Sequence, residues 1–342
     1  MESVNIKEIS RSPLPEPFKK IYIKAGYQFV GKYGAYKPCY YFRTALTKRI
    51  MCYKYWFYGI PTHRCIQWSP ILECNQECVF CWRVHRSDLK LPAFRGDLNS
   101  IDWDEPEELI DQAIKQYYNT LKSYDPRHHP RVDVEMWKDA MNGPQHLATS
   151  LTGEPTMYPK IGELMEIGKK RGMTTFIVTN GTFPEVLEKM DVLPTQLYIS
   201  LVGPDYKTWA RATRPLWNAK EQWNKLLKTL ELLPSLNTRT VIRITSVKGL
   251  NMINPEGYAK LIRVAEPDFV EPKGYTWVGR SRERLPNNSV PTMDEIREFA
   301  RQINKFLGYK YIDEVERARI VLLWNEKTPL EIHPKRYKNV KR

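Results

Sequence analysis

Short apolar runs alternate with amphipathic stretches along the chain from about residue 66 onward. The apolar runs are rich in β-branched and aromatic residues, which is typical of buried strands, and most of them end at Gly, Pro or Asn. We predict six strands from these runs, over residues 66–73, 146–155, 174–181, 195–203, 239–251 and 269–279.

The amphipathic stretches between and around these strands have the spacing of helices. Two have recognisable ends: one precedes Gly172, and another begins with a capping box at Thr292 and reaches Gly308. The predicted helices cover residues 105–122, 131–141, 159–171, 184–190, 219–233, 255–265 and 292–306.

Strands that alternate with helices indicate an α/β protein with a parallel sheet and right-handed crossovers. Six units are two short of a full (β/α)8 barrel, so we predict a partial (β/α)6 TIM-like barrel. Ligands of such a fold lie at the carboxyl ends of the strands.

Three regions follow from this pattern. Residues 1–65 precede the barrel as an extension, and residues 66–310 form the barrel. The stretch at about 83–145 is too long for a simple crossover, so it contains an insertion. Residues 311–342 hold one more predicted strand, at 317–325, and then a basic tail.

The composition is that of a folded protein with a packed core, because 42% of residues are hydrophobic and 27% are charged. No run of 18 apolar residues occurs, which predicts that no segment spans a membrane. The first 20 residues have no apolar core of a secretory signal, and six cysteines are too few for a disulfide scaffold. We therefore expect a cytoplasmic protein.

The net charge of +14 is confined to the two ends of the chain. Residues 1–65 hold 12 Lys+Arg and 3 Asp+Glu, and residues 333–342 hold five Lys+Arg and no acid. The extension also holds nine Tyr, four Phe and one Trp. Basic and aromatic residues together are typical of surfaces that bind phosphates and stack bases, although many of these aromatics could instead build a small core. The tail could equally be a solvated end.

A cluster of basic residues also occurs in the insertion and is a further candidate for contacts with phosphates. Its members are Arg83, Arg86, Arg95, Arg127, His128, His129 and Arg131.

All six cysteines lie between Cys39 and Cys81. The last three, Cys74, Cys78 and Cys81, stand as C-x3-C-x2-C directly after the first predicted strand. Three thiolates on one short loop can bind three irons of a [4Fe-4S] cluster and leave the fourth iron open for a small molecule. A structural zinc site is the alternative, but zinc in such sites takes four ligands.

The first three, Cys39, Cys52 and Cys65, stand as C-x12-C-x12-C. The same argument predicts a second [4Fe-4S] cluster with one open iron. The alternative is three structural cysteines in an aromatic extension.

The C-x3-C-x2-C loop follows the first strand of a predicted partial barrel, and Phe80 precedes its third cysteine. In both respects the chain resembles the radical S-adenosylmethionine superfamily. The resemblance implies a cluster that reduces S-adenosylmethionine, and an adenosyl radical that abstracts hydrogen.

Other motifs at the ends of successive strands resemble elements that bind S-adenosylmethionine in that superfamily. LTGEP resembles the glycine-rich element at the methionine amino group, although Thr replaces its first Gly. TNG resembles the segment after the third strand, and the Ser of YISLVG resembles a polar residue near the ribose. Two further polar residues lie in otherwise apolar strands. The residues concerned are Thr152, Gly153, Glu154, Thr179, Asn180, Ser200, Arg243 and Lys273.

Three features together make the resemblance specific to one family of the superfamily: the C-x12-C-x12-C spacing, the CYKYW segment and WSPILECNQECVFCWR. Together they are similar to the archaeal tRNA 4-demethylwyosine synthases, over residues from about 31 to the end of the barrel. The resemblance implies a lyase of wybutosine biosynthesis that condenses N1-methylguanosine 37 of phenylalanine tRNA with pyruvate to form the tricyclic base. It implies an external electron donor, either a separate protein or a reductant, since no flavodoxin-like segment is present, and we expect a monomer.

Lys54 lies two residues after Cys52, among aromatic residues. An amine in such surroundings can attack a ketone and form a Schiff base. The resemblance implies one of two roles for this part of the chain. Either Lys54 holds pyruvate covalently, or pyruvate chelates the open iron of the second cluster. A solvated or phosphate-facing lysine is the third interpretation.

Two other functions are compatible with the residues. One is a different two-cluster radical enzyme that acts on a protein or peptide and uses the second cluster as an electron relay. The other is an RNA-binding protein that is stabilised by metal and has no catalytic activity.

Overall fold

The structure, a computed structural model, describes residues 12–94 and 98–342. The first eleven residues of the basic extension and Arg95 of the basic cluster therefore lie outside the described residues. Within the described chain the helices, numbered in order, are α1 Glu16–Lys24, α2 Tyr40–Lys48, α3 Tyr53–Tyr58, α4 Pro106–Ser123, α5 Val134–Met141, α6 Ile161–Lys170, α7 Pro184–Glu188, α8 Tyr206–Thr213, α9 Ala219–Leu232, α10 Pro255–Ala265, α11 Ser281–Arg284 and α12 Met293–Leu307.

The strands of the same residues are β1 Gln28–Val30, β2 Gly34–Tyr36, β3 Cys65–Ser69, β4 His146–Thr149, β5 Thr174–Thr179, β6 Gln196–Ser200, β7 Arg239–Ser246, β8 Phe269–Gly274, β9 Lys310–Val315 and β10 Ile320–Trp324. No helix of the described residues is long and apolar enough to cross a membrane.

The chain forms two compact units. The first contains the described residues up to 73, residues 98–177 and residues 331–342. In it β1, β2 and β3 are antiparallel neighbours, and β3, β4 and β5 are parallel neighbours. Helix α4 packs against α6 in this unit, and it begins with a proline and two glutamates, which suit a helix N-terminus.

The register of the parallel strands in the first unit defines two rows of side chains on one face of the sheet. Residues paired across parallel strands point to the same face, and alternate residues of a strand share that face. One row contains Cys65, His146 and Thr174. The next row contains Gln67, Ala148 and Phe176.

The second unit contains residues 74–94 and 178–330. In it β6, β7 and β8 are parallel neighbours, and β8, β10 and β9 are antiparallel neighbours. Helices α9 and α12 both pack against α10. The predicted capping box of α12 is present: Thr292 Oγ1 accepts from Glu295 N, and the Glu295 carboxylate accepts from Thr292 N.

The six predicted strands and seven predicted helices are present, which confirms the α/β fold class. The strands are shorter at their carboxyl ends than predicted; for example, β4 ends at Thr149 and not at 155. The prediction of a strand over 317–325 was correct in its second part, because 316–318 form a 3₁₀ turn and β10 follows. The division of the chain into an extension, a barrel and a tail stays a prediction.

Candidate functional site

The loop that carries Cys74, Cys78 and Cys81 lies in the second unit and is held by backbone hydrogen bonds. Glu77 N donates to Arg214 O at 3.2 Å, and Val79 N donates to Ala212 O at 2.9 Å. Cys81 N donates to Cys78 O at 3.0 Å, which closes a tight turn between the last two cysteines. The three thiols are therefore presented by a loop of fixed shape.

Two asparagines connect this loop to the predicted TNG turn. Asn180 Nδ2 lies 2.8 Å from Asn75 Oδ1 and 3.9 Å from Cys74 Sγ. Asn75 Nδ2 donates in turn to Thr182 Oγ1 at 2.8 Å and to Gln222 Oε1 at 3.0 Å. Thr179 Oγ1 accepts from Gly181 N at 3.1 Å. The structure thus places the predicted Thr179 and Asn180 beside the first cysteine loop.

An arginine far away in sequence holds the other end of the loop. Arg284 of α11 donates to the carbonyl oxygen of Cys81 and, at 3.1 Å, to that of Arg83. Its guanidinium also forms an ion pair with Asp88 at 2.8 Å and lies 2.7 Å from His85 Nδ1. Burial, with Arg83 and Arg284 nearby, lowers the pKa of His85 far below its ordinary value, so this imidazole is neutral.

Thr152, Gly153 and Glu154 form a turn in the first unit. Gly153 has φ +75°, and a Cβ there would lie 2.1 Å from Ile71 O, so only glycine fits. Glu154 N donates to Glu73 O at 2.9 Å, and Glu154 Oε1 accepts from Thr156 Oγ1 at 2.6 Å. Thr152 Oγ1 is buried and has no hydrogen-bond partner among residues 12–94 and 98–342. A buried polar atom without a partner is costly, and it fits a site for a polar ligand.

The remaining predicted residues of this group lie on the strands of the second unit. Ser200 ends β6 and Lys273 lies near the end of β8, and both are partly buried. Arg243 of β7 forms a salt bridge with Glu271, with Nε 3.0 Å from Oε2, and its guanidinium lies 4.5 Å from the centre of the Tyr198 ring. The structure therefore shows a buried ion pair at Arg243, which sequence reasoning did not predict.

The other three cysteines lie at the starts of three separate elements of the first unit. Cys39 is the N-cap of α2 and its Sγ accepts from Phe42 N at 3.3 Å, Cys52 is the N-cap of α3, and Cys65 begins β3. Burial raises the pKa of Cys39 to about 11, with the sulfur of Cys65 adding to the effect, and burial also raises the pKa of Cys65. Desolvated thiols of this kind become thiolates when a metal supplies the compensating charge.

Lys54, in the first turn of α3, lies close to these sulfurs. Its charge acts on both Cys39 and Cys65 and lowers the pKa of each thiol, against the effect of burial. Its Nζ lies 5.4 Å from the centre of the Phe176 ring. The structure thus brings the predicted lysine together with the second group of cysteines.

His146 lies on the same face of the sheet as Cys65. The sequence did not predict it as part of a site. It is completely buried, and its ring packs edge-on against Phe176 with the ring centres 4.3 Å apart. Burial lowers its pKa well below the ordinary value, and Lys54 and His333 add to this effect. Its Nδ1 lies 2.8 Å from Thr174 Oγ1, whereas its Nε2 is buried with no hydrogen-bond partner in the described structure.

The basic tail is packed against α3. The backbone N–H groups of Ile332 and His333 donate to Tyr58 O at 2.9 and 3.2 Å. A Cβ at Gly59, which ends α3 with φ +76°, would lie 1.7 Å from His333 O. The tail therefore passes directly over the end of the helix that carries Cys52 and Lys54, and a solvated end is not what the structure shows.

Two further contacts hold the distal part of the tail. Lys341 O accepts from Met51 N at 2.9 Å, and the Arg342 guanidinium lies 4.8 Å from the ring of Trp56. The basic side chains of the tail nevertheless stay exposed: Lys335, Arg336, Lys338, Lys341 and Arg342.

The donor chemistry of both groups fits iron–sulfur clusters. All six cysteines, every one of which the structure describes, are free thiols. No group of three His, Cys, Asp or Glu side chains among residues 12–94 and 98–342 is arranged to bind one metal ion. That result concerns a single ion, because each thiolate of a cluster binds its own iron and the sulfurs need not converge on one point.

Two family models match the chain. Residues 68–262 match the radical SAM superfamily, and residues 264–325 match the wyosine base formation family. The first match spans most of the predicted barrel, and the second includes Arg284, which holds the cysteine loop.

The chain is also similar to characterised proteins over nearly its whole length. It is 43% identical to the S-adenosyl-L-methionine-dependent tRNA 4-demethylwyosine synthase of Pyrococcus abyssi, over 92% of this chain and 90% of that one. It is 38% identical to the enzyme of the same name from Methanocaldococcus jannaschii, over 94% and 99% of the two chains. A relative from Mus musculus is 33% identical, and there the match spans 43% of the longer protein.

Among solved structures, the chain is similar to a TYW1 with a lysine-pyruvate adduct bound, with a TM-score of 0.82, 36% identity and coverage of 94% and 99% of the two chains. A crystal structure of an archaeal TYW1 matches with a TM-score of 0.74 and 33% identity, over 92% and 98% of the chains. These matches confirm the fold class and the resemblance found from the sequence.

Proposed function

The chain belongs to the tRNA 4-demethylwyosine synthase family of radical SAM enzymes, and from that premise we propose how its two groups of cysteines divide the reaction. Membership makes the protein a tRNA-modifying enzyme of the wybutosine pathway that uses S-adenosylmethionine and an iron–sulfur cluster. The proposal concerns the second cluster, pyruvate and the residues that bind each ligand.

The first cluster is assigned to Cys74, Cys78 and Cys81, with S-adenosylmethionine on its open iron. When bound, this pair supplies one electron and a radical that abstracts hydrogen. The buried Thr152 Oγ1 without a partner and the glycine turn at Gly153 support a polar ligand at that turn. The Asn180 amide, 3.9 Å from Cys74 Sγ, fixes the position of the loop.

The second cluster is assigned to Cys39, Cys52 and Cys65, with pyruvate beside it. The observation that carries this assignment is the position of Lys54, whose charge acts on two of the three thiols and whose amine lies over the Phe176 ring. A relative whose solved structure contains a lysine-pyruvate adduct supports the covalent role of Lys54 over chelation of free pyruvate.

In this proposal the Lys54 amine attacks the keto carbon of pyruvate and forms an imine, with loss of one water. The ketone and the imine have the same oxidation state, so the step needs no redox partner. The aromatic surroundings exclude bulk water, which would hydrolyse the imine. The chain's own role here is to hold a three-carbon acid close to the second group of thiols.

The substrate is N1-methylguanosine 37 of phenylalanine tRNA, and we assign the exposed basic residues of the first unit to its phosphates. They lie in the tail, on α2 and after α4: Lys335, Arg336, Lys338, Lys341, Arg342, Arg43, Lys48, Arg127 and Arg131. Contacts of this kind position RNA without reading its sequence. A separate protein supplies electrons, and the enzyme works as a monomer in the cytoplasm.

Anaerobic incubation with methylated tRNA, pyruvate and S-adenosylmethionine, followed by mass analysis of the nucleoside, tests the proposal. Reconstituted protein should bind about eight irons. Cys52→Ala should lose product while it still cleaves S-adenosylmethionine, and Lys54→Met should lose the pyruvate adduct. Lys228→Ala, an exposed lysine on α9 that is not among the residues assigned to phosphates, is the control for a general loss of positive charge. Unchanged product formation by Cys52→Ala would overturn the assignment of the second cluster.

The phosphate contacts have their own test. Affinity for tRNA should fall steeply as salt is raised. Changing Lys335 and Lys338 to Gln removes two charges while the backbone of the tail remains to pack against α3, which truncation would not allow. An unchanged salt dependence in that variant would remove the tail from the tRNA-binding surface.

A further inference from the structure

The face of the sheet that carries Cys65 also presents a histidine nitrogen that the reaction proposed above does not use. His146 is completely buried, yet its Nε2 has no hydrogen-bond partner within the described structure. An unsatisfied buried donor or acceptor costs about 1 to 3 kcal/mol, so its persistence points to a ligand that completes it.

The hydrogen bonds around the ring identify the tautomer. Thr174 Oγ1 lies 2.8 Å from His146 Nδ1 and 3.2 Å from Gln145 O. His333 Nε2 lies farther from the same hydroxyl, at 3.5 Å, and Gln145 O already accepts from Thr174 N at 3.0 Å. We assign the hydroxyl proton to the nearest of these acceptors, Nδ1. The proton of the neutral imidazole is then on Nε2, which makes the atom without a partner a donor.

The His146 ring and the Lys54 amine both pack around the Phe176 ring. The His146 ring contacts the Phe176 ring at 4.3 Å between centres, and Lys54 Nζ lies 5.4 Å from the same Phe176 centre. The amine and the imidazole are therefore separated by no more than the sum of these two distances. His146 is also the strand partner of Cys65, so it shares a face of the sheet with this member of the second group of cysteines.

We propose that His146 Nε2–H donates a hydrogen bond to the carboxylate of the α-keto acid bound at Lys54. This inference rests on the pyruvate site proposed above and gives that site its carboxylate-binding residue. A pyruvate imine presents its carboxylate one carbon away from the lysine nitrogen, and a charged acceptor forms the strongest bond with such a donor. Thr174 is the positioning residue, because its hydroxyl fixes the tautomer.

The test uses the reconstituted full chain with pyruvate and sodium cyanoborohydride, without tRNA or S-adenosylmethionine. Intact mass measures the fraction of protein that carries one reduced pyruvate, as a function of pyruvate concentration. His146→Phe keeps a ring but removes the donor, and it should raise the half-saturating pyruvate concentration by about tenfold or more. His146→Gln restores a donor on a side chain of similar reach and should recover much of that loss.

Thr149→Val is the matched control. Thr149 is on the same strand, is completely buried and has an unpartnered hydroxyl, but it is three residues from His146 and so points to the opposite face. Its replacement should leave the pyruvate dependence unchanged. If His146→Phe does not fold or does not bind iron, Thr174→Val provides the second variant, and it should weaken pyruvate binding at normal iron content.

The KM for pyruvate in product formation distinguishes the covalent role of Lys54 from the hydrogen bond donated by His146. If wild-type protein yields no trapped adduct but His146→Phe still raises the KM for pyruvate alone, the covalent role of Lys54 fails and the role of His146 stands. If the adduct forms and neither readout changes in the His146 and Thr174 variants, the role of His146 is overturned. Loss of iron in His146→Gln with an unchanged pyruvate dependence would also overturn it, because the donor would then serve the cluster.

Discussion

The contact between the tail and α3 can be tested at one glycine. Gly59→Ala places a Cβ where the carbonyl of His333 lies, 1.7 Å away, and it forces alanine into a backbone with φ +76°. Alanine in the left-handed region costs about 1 to 2 kcal/mol. The clash cannot be relieved by a side-chain rotation, because the atom in the way is a backbone oxygen, so the tail must move.

Movement of the tail breaks the two hydrogen bonds from Ile332 and His333 to Tyr58 O. At about 1 kcal/mol each, their loss lowers the free energy of local opening by about 2 kcal/mol, which corresponds to roughly 30-fold faster amide exchange. Hydrogen exchange with mass spectrometry on peptides that cover residues 331–337 measures this directly. We expect lower pyruvate trapping as well, because the same helix carries Lys54.

Gly26→Ala is the control, since Gly26 has φ +80° and a Cβ there would meet nothing within 4 Å. It has the same backbone cost but no clash. The tail peptides should exchange as in wild type in Gly26→Ala and much faster in Gly59→Ala. Equal exchange in the two variants would refute the reasoning, because the tail would then be held by contacts other than those at Gly59.

Three more changes test other parts of the structure. Asp139 has a pKa of about 2, below the ordinary 3.8, chiefly because its buried histidine partner donates to it at 2.7 Å. Since the pKa of Asp139 is lower in the folded state, its stabilisation is present above about pH 3.8 and is lost as the pH falls toward 2. Asp139→Asn should therefore lower the free energy of unfolding in urea by about 2 kcal/mol at pH 7 and by little near pH 2. Gly153→Ala should abolish S-adenosylmethionine binding in anaerobic equilibrium dialysis, whereas Gly172→Ala, with φ +74° and no neighbour within 4 Å, should not. Arg284→Lys cannot donate to the carbonyl oxygens of Cys81 and Arg83 as the guanidinium does, so it should lower the iron content toward four per chain. Arg282→Ala, at an exposed position, should leave the iron content unchanged.

The strands of the predicted barrel were predictable because they are short apolar runs whose residues are mostly buried in the structure. Strand β9 was missed for the opposite reason: only Val315 of Lys310–Val315 is buried, and the run alternates polar with apolar residues only weakly. Helix α3 was also missed. Its sequence, YKYWFY, has high strand propensity, but the cap at Cys52 and the left-handed Gly59 bound a short helix whose aromatic side chains are buried.

Within the candidate site, spacing predicted the cysteines, which are close in sequence, and the family resemblance predicted Lys54. The residues that hold these side chains in place could not be predicted from sequence spacing, because they are far away along the chain. Arg284 contacts Cys81 across 203 positions, and only the register of β3 and β4 places His146 beside Cys65. A single histidine at the start of a predicted strand has no pattern that distinguishes it from a core residue.

The two groups of cysteines differ in how much of the fold each one needs. Cys74, Cys78 and Cys81 share one loop, so a few local hydrogen bonds fix their arrangement. The even C-x12-C-x12-C spacing is instead a consequence of element lengths, since its cysteines begin α2, α3 and β3. Three separate elements keep their sulfurs together only while the packing between them lasts, and the tail supplies part of that packing. A change in the tail should therefore release iron from the second site before the first, whereas a change at Arg284 should do the reverse.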